Sequence, residues 1–256
     1  MKSTAQIKKL AKQALSQRRG TAIPLVLVFT LTCVTLAALD LHFLLTSYSG
    51  AAGHWFVSIA ALLVISVMLV NMNGEFIKVY KQQPVGAEAE AAFTGFRERF
   101  WRKLGGMAWM ALWVFLWMQL LIVPGIIRGL AYFCTPYILA DCPKVPATQA
   151  LRTSVDITHG HKFKIFVFFL SFIGWGLLPV LPFLILSAIL ILNTVGWLVA
   201  LLVVGTYYVV LVGPYFYTAA AGLYLELRDN ALAEGKITRR ELGLPEPAPH
   251  EHIIAT

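Results

Sequence analysis

Apolar residues fall in long runs along the chain, separated by short polar segments. Five runs are long enough to form membrane-spanning helices: 23–45, 56–72, 104–123, 165–192 and 195–224. A helix needs roughly 20 mostly apolar residues to cross the hydrocarbon of a bilayer, which is about 30 Å thick. A shorter run, 126–140, follows the third directly and is the fourth of six runs in chain order. The pattern predicts an all-α, polytopic membrane bundle with six transmembrane helices arranged as three hairpins.

Composition supports a bilayer as the solvent of this chain. Of its 256 residues, 58% are hydrophobic and 13% are charged. A soluble globular domain is typically about 45–50% apolar and about 25% charged. The chain therefore has too few polar side chains to cover a water-soluble surface.

The positive charges indicate the orientation. Every Lys and Arg except Arg128 lies in the amino-terminal segment, in the segments that follow the second and fourth runs, or in the tail. The linkers at 46–55 and 193–194 contain none. Because cytoplasmic segments carry the excess of Lys and Arg, we expect both termini in the cytoplasm of a bacterial cell, with the chain in its cytoplasmic membrane. A five-span arrangement would place these charges on both sides.

The chain divides into three segments. Residues 1–20 predict a basic amphipathic helix along the inner leaflet, with a plain start of the first span as the alternative. Residues 21–228 form the six-span membrane domain, and residues 229–256 form a cytoplasmic, partly disordered tail. Short amphipathic cytoplasmic helices are also expected near 84–103 and at 146–158. The net charge of +8 matches anionic headgroups at the cytoplasmic face rather than nucleic acid, for which no reader motif is present.

Arg128 lies inside an otherwise apolar stretch. An arginine in a membrane is costly unless it pairs or snorkels, so it is a candidate functional residue. Asp40, near the outer end of the first span, is its natural partner, and we expect an Asp40–Arg128 ion pair. Snorkelling of Arg128 to the outer headgroups is the alternative.

Several prolines interrupt the apolar runs. Pro124 and Gly125 make an unusually apolar turn, and irregular backbone within a membrane must be buried in protein or line a cavity. Pro179 and Pro182 break the fifth run and Pro214 breaks the sixth, as in the discontinuous helices of transporters. These residues are a candidate cavity, with ordinary helix kinks as the alternative.

Enzyme signatures are not found in the sequence. It contains no HExxH, GxSxG or phosphate-binding glycine loop,. Its three cysteines show no metal-ligand spacing,. Trp109, Trp113 and Trp117 form a stripe that is typical of packing or lipid contact. We therefore expect no catalytic residue, no metal and no cofactor.

Several segments together resemble the Domain of Unknown Function 975 family. In chain order they are 7–15 (IKKLAKQAL), 121–127 (LIVPGII), 136–141 (PYILAD), 150–154 (ALRTS), 160–164 (GHKFK), 170–175 (LSFIGW) and 213–215 (GPY), with Tyr132 and Tyr224. The resemblance implies a bacterial multi-span membrane protein without an assigned activity. The turn and the ALRTS helix also look like the membrane portion of some glycerophosphodiester phosphodiesterases, which hints at work near lipids.

These observations favour a non-enzymatic accessory or envelope-associated membrane component. Such a protein would associate with membrane lipids, with another membrane protein or with a second copy of itself. The alternative is a small permease or lipid-handling transporter with a cavity near the Pro124-Gly125 turn.

Overall fold

The computed structural model describes residues 2–46, 52–85, 99–180, 184 and 202–244, and within these ranges the chain is mostly helical. No strand occurs in these ranges, which confirms the all-α prediction. The helices are α1 (Thr4–Gln17), α2 (Arg19–Thr46), α3 (Ala52–Tyr80), α4 (Phe100–Leu120), α5 (Ile122–Ala131), α6 (Thr135–Asp141), α7 (Ala147–Thr158), α8 (Lys162–Leu177) and α9 (Gly213–Ala233). Helical residues 202–207 and a π-helical turn, Tyr208–Val212, precede α9.

Four helical segments are long and apolar enough to cross a membrane: Arg19–Thr46, His54–Tyr80, Ile122–Asp141 and Leu202–Ala233. They contain the first, second and fourth predicted runs and most of the sixth. Most of the second half of the fifth run lies outside the described residues. The structure is thus compatible with a membrane protein, whereas six spans in three hairpins stay a prediction.

The basic segments of the chain meet at one end of the bundle. Side chains of one segment hydrogen-bond to backbone carbonyls of another, in the pairs Arg18–Gln82 (2.9 Å), Lys164–Lys2 (2.6 Å) and Lys236–His159 (3.2 Å). We call this end the polar end. Four segments that are far apart in sequence therefore share one side of the molecule.

The amino-terminal helix α1 begins with a capping box. The Ser3 side chain accepts from the Gln6 backbone N–H, and the Gln6 side chain accepts from the Ser3 N–H. These bonds satisfy two backbone donors that a helix start leaves open. The helix ends at Gln17, the backbone of the next residue, Arg18, departs from helical geometry, and α2 starts directly afterwards.

The apolar side of α1 is covered by protein. Ile7 and Ala11 are fully buried in the same core as the α9 residues Leu223 and Leu227, and α1 packs mainly on α9. The apolar side of α1 therefore rests on protein, and the placement of the helix along the inner leaflet stays a prediction. Burial against α9 removes the same apolar area from water without lipid.

A closely packed part of the core lies beside the polar end. Tyr137 of α6 stacks on Tyr224 of α9, with ring centroids 5.2 Å apart. On α9, three consecutive alanines, 219–221, are fully buried. The next residue is Gly222, where a Cβ would lie 2.3 Å from the Tyr80 ring of α3. Small residues on α9 thus let α3 approach closely.

Apolar side chains are exposed at the opposite end. Leu45, Phe56 and Leu120 are 74%, 75% and 69% exposed. A soluble protein rarely leaves a large apolar patch in water, so these helix ends match a lipid environment.

The chain reverses between α4 and α5 at Leu121, which is extended (φ −159°, ψ 136°). The expectation of a turn at Pro124-Gly125 is wrong because both residues lie in the first turn of α5. Proline is tolerated there, since the first N–H groups of a helix have no partner within it. Gly125 is buried, and a Cβ there would lie 2.3 Å from Met118 Cγ. The segment is therefore a tight contact between α4 and α5, and Gly125 lines none of the described clefts.

Candidate functional site

A cleft of about 520 Å³ lies between α4, α5 and α7. Its polar and aromatic lining comes from all three helices: Trp109, Trp113, Arg128, Tyr132, Arg152 and Asp156. We call it the Arg128 cleft. It is open on one side and combines two guanidinium groups with two exposed tryptophan rings.

Helix α7 is held against the end of α5 by two hydroxyl groups. Ser154 Oγ and Thr158 Oγ1 both donate to the carbonyl oxygen of Ala131, at 2.9 and 3.1 Å. Their anchoring places Arg152 and Asp156, one helical turn apart on the exposed side of α7, in the same cleft as Arg128. The sequence predicts a polar helix at 146–158 but does not indicate its contact with Arg128. The i, i+4 spacing of two charged residues was the available signal.

Arg128 itself contacts an aromatic ring. Its guanidinium carbon lies 4.8 Å from the centroid of the Trp117 ring, which is one turn or more along α4 from the two tryptophans that line the cleft. In the part of the chain that the structure describes, Arg128 makes no ion pair. The cleft is therefore cationic on its α5 side.

A second polar cluster surrounds Asp141, the last residue of α6. Its Oδ2 accepts hydrogen bonds from Arg228 Nη1 at 2.7 Å and from the Tyr224 hydroxyl at 3.2 Å. Lys81 Nζ lies 3.5 Å from the other carboxylate oxygen. The side chains of Asp141 and Arg228 are 14% and 13% exposed, so this ion pair is largely buried and joins α6 to α9.

Arg102, at the start of α4, holds the end of α6. Its guanidinium donates to the carbonyl oxygens of Leu139, Cys142 and Val145. The last carbonyls of a helix have no partner within it, so one arginine satisfies three acceptors in and just after α6. Arg102 therefore stabilises the end of α6.

The sequence model of a family described as a protein of unknown function, DUF975, matches residues 106–231. This part of the chain belongs to the DUF975 family. The family match confirms the resemblance for the segments between 121 and 224, whereas the segment 7–15 lies outside it. No curated protein and no solved structure matches the chain.

The DUF975 segment contains the whole lining of the Arg128 cleft and the Asp141–Arg228 pair. Helices α1, α2 and α3 precede it. Lys81, the third charged residue of the Asp141 cluster, therefore comes from outside the matched segment. The Asp141 cluster therefore combines residues of the DUF975 segment with a residue that follows α3.

The predicted Asp40–Arg128 pair is not formed in the DUF975 protein, since neither residue has the other among its ion pairs in the described residues. Asp40 Oδ1 accepts a hydrogen bond from Ser58 Oγ at 2.8 Å and lies 2.9 Å from His54 Nδ1. Both partners are on α3. Residues at equal distances from the α2–α3 connection face each other, so this hairpin supplies Asp40 with local partners.

The remaining candidate prolines are scattered. Pro179 lies in the turn that follows α8, and Pro182 lies outside the described residues. Pro214 is in the first turn of α9, directly after the π-helical turn. At the neighbouring Gly213, a Cβ would lie 2.7 Å from Val26 Cγ1 of α2, so this break is a site of close helix packing. Neither Pro179 nor Pro214 lines the Arg128 cleft.

A smaller polar cleft of about 290 Å³ lies beside Asp141. Glu75 of α3 lines it, with one carboxylate oxygen 2.7 Å from Lys78 Nζ and the other buried without a hydrogen-bond partner among the described residues. Lys81 and Lys103 also line it. Lys78 and Lys81 are thus paired with the two carboxylates of this cleft, Glu75 and Asp141.

The buried Cys142 follows Asp141. Burial, and next to it the adjacent carboxylate of Asp141, raises the pKa of its thiol to about 11. The thiol is therefore protonated and unreactive near neutral pH. Within the described residues, no group of three or more His, Cys, Asp or Glu side chains is arranged to hold a metal ion.

Proposed function

We propose that this DUF975 protein is a non-enzymatic, six-span component of the bacterial cytoplasmic membrane that acts by association with lipids or other membrane proteins. Both termini lie in the cytoplasm in this proposal. The observation that carries it is the meeting of all basic segments at the polar end, through bonds such as Arg18–Gln82 and Lys164–Lys2.

That meeting supports the orientation for a physical reason. Cytoplasmic segments of membrane proteins carry the excess of Lys and Arg. Helices α2, α4 and α8 all start at the polar end, while α3, α5 with α6, and α9 return to it. Three hairpins whose basic ends lie together place the excess of Lys and Arg on one side of the membrane, and that side is the cytoplasmic one in this proposal.

The use of the charged residues supports a role in association. Asp141, Arg228 and Arg102 are engaged in bonds between helices, where they stabilise the packing of the polar end. The exposed apolar ends of α2, α3 and α4 offer area for lipids or for membrane helices of a partner. Such an arrangement suits a scaffold better than a reaction centre.

A lipid-handling transporter is the second candidate. The Arg128 cleft favours it, because a cationic cleft with aromatic walls can accommodate a lipid headgroup,. It differs from the earlier cavity hypothesis, since this cleft is bounded by α7 and not by Pro124 and Gly125.

Cysteine accessibility tests the orientation. In a variant without native cysteines, Gly50→Cys should react with a membrane-impermeant maleimide added to intact spheroplasts. Lys9→Cys and Arg239→Cys should react only after lysis. The opposite pattern, or labelling of all three sites before lysis, would refute the proposed topology.

A lipid-scrambling assay separates the two functions. Proteoliposomes with fluorescent phospholipid in both leaflets are treated with dithionite, which bleaches only the outer leaflet. Under the association proposal, bleaching stops near one half, as in protein-free vesicles. Complete bleaching that is reduced in Arg128→Gln would establish lipid transfer and refute a purely associative role.

A further inference from the structure

The Arg128 cleft holds a positive charge that the described part of the protein leaves uncompensated. Arg128 lies in a segment apolar enough to span a membrane, Ile122–Asp141. Neither it nor Arg152 makes an ion pair within the described residues. Asp156 lines the same cleft but is not within ion-pair distance of either arginine. A guanidinium at membrane depth needs a partner, and the ring of Trp117 supplies only part of the required stabilisation,.

The shape of the cleft suits an amphipathic anion. Its volume of about 520 Å³ exceeds what a single phosphate fills. Trp109 and Trp113, at right angles with centroids 5.9 Å apart, form an aromatic wall beside the cationic groups. Tryptophan favours the level of lipid headgroups because its ring is apolar and its N–H is polar.

We propose that this cleft binds the phosphate of an anionic phospholipid, with Arg128 and Arg152 as its cationic ligands. The guanidinium groups approach the phosphate from α5 and α7, and each presents a planar pair of donors that matches two phosphate oxygens. The glycerol and the start of the acyl chains lie against Trp109 and Trp113. The binding site deepens the association proposed above and rests on its placement of the chain in a membrane.

The net charge of the cleft requires an anionic lipid. Two arginines and one aspartate give the cleft a net charge of +1. A phospholipid with a net negative charge neutralises it, whereas a zwitterionic lipid leaves the charge unbalanced. Phosphatidylglycerol and phosphatidylcholine with the same acyl chains are therefore matched probes.

Native mass spectrometry of the full-length protein in detergent tests the site. On titration with phosphatidylglycerol, the wild type should bind a first lipid at a lower concentration than any further lipids. Titration with phosphatidylcholine should show no such separate first binding step. Arg128→Gln and Arg152→Gln should each weaken that first binding step about tenfold, because each removes a charge-assisted hydrogen-bond partner. Arg19→Gln, an exposed arginine outside the cleft, removes the same charge and should leave it unchanged.

The outcomes separate the possible sources of phosphate. Inorganic phosphate in large excess should not displace the lipid, and its displacement would overturn the lipid assignment in favour of a free-phosphate site. Equal binding by wild type and by both cleft variants would refute the site. An equal loss in Arg19→Gln would show general surface attraction only. Arg152 is exposed on α7, so its variant keeps the test valid if Arg128→Gln fails to fold.

The two proposals fail separately. If accessibility labelling reverses the topology while the first lipid still depends on Arg128, the orientation is wrong and the lipid site stands. If the topology holds and no variant alters lipid binding, the site is wrong and the membrane placement stands.

Discussion

The Asp141–Arg228 pair offers the sharpest test of how the polar end is held together. Arg228→Met removes a hydrogen bond of 2.7 Å from a carboxylate that is 14% exposed. Removing one partner of a buried ion pair costs about 3–5 kcal/mol, because the other charge stays buried. Lys81, 3.5 Å away, and the Tyr224 hydroxyl, 3.2 Å away, remain as partners. We therefore expect a loss near the lower limit, about 3 kcal/mol.

The complementary change is Asp141→Asn, which keeps the shape and removes the charge. Arg228 then retains Asp229, at 2.8 Å, as a partially exposed partner. We expect a loss of about 2–3 kcal/mol. In the double variant neither charge is left unpaired, so its loss should be smaller than the sum of the single losses by about 2 kcal/mol.

The free energy of unfolding is measured by titration with SDS in mixed micelles, followed by the far-ultraviolet circular dichroism of the helices. Asp156→Asn is the matched control: it makes the same chemical change at an exposed carboxylate without an ion pair in the described residues, and it should shift stability by less than about 0.5 kcal/mol. Additive losses in the double variant would refute the pair as a stabilising unit. A loss in Asp156→Asn equal to that in Asp141→Asn would refute burial as its cause.

Two further predictions concern close packing and thiol reactivity. Gly222→Ala places a Cβ against the Tyr80 ring and should lower the free energy of unfolding by about 1–2 kcal/mol,. Gly174→Ala, in a helix with open space around the Cβ, should be neutral or stabilising in the same SDS titration,. Cys142 should resist maleimide at pH 8 in the folded protein, as mapped by mass spectrometry, because its pKa is raised to about 11 by burial and by Asp141. Its thiolate fraction grows tenfold with each pH unit below that value, so a rate that levels off near pH 9 would contradict the burial argument.

Much of the local structure could be predicted from the sequence, because it depends on neighbouring residues. Apolar runs of 17 to 30 residues have one stable form in lipid, since a helix satisfies its own backbone hydrogen bonds. The described helices at 19–46, 52–80 and 100–120 follow those runs, and the shorter run 126–140 falls on α5 and α6. The polar helices at 4–17 and 147–158 follow the 3.6-residue period of apolar positions.

The candidate site depended on contacts that the sequence does not record. Asp40 was assigned to Arg128 by depth alone, but the α2–α3 hairpin gave it partners on α3. Arg152 and Asp156 reached the Arg128 cleft because two hydroxyls of α7 bond to the end of α5. The signal in the sequence was a charge pair on an ordinary amphipathic helix.

By itself, the sequence determined that this DUF975 protein is helical, where its long helices lie and which segments carry the positive charge. These properties follow from hydrogen bonds and hydropathy within each segment. Only the tertiary structure decided that α1 is covered by α9, that the chain reverses at Leu121 and that Asp141 pairs with Arg228. In each case the sequence offers several contact partners of similar chemistry. Close packing between distant segments decides which of them are in contact.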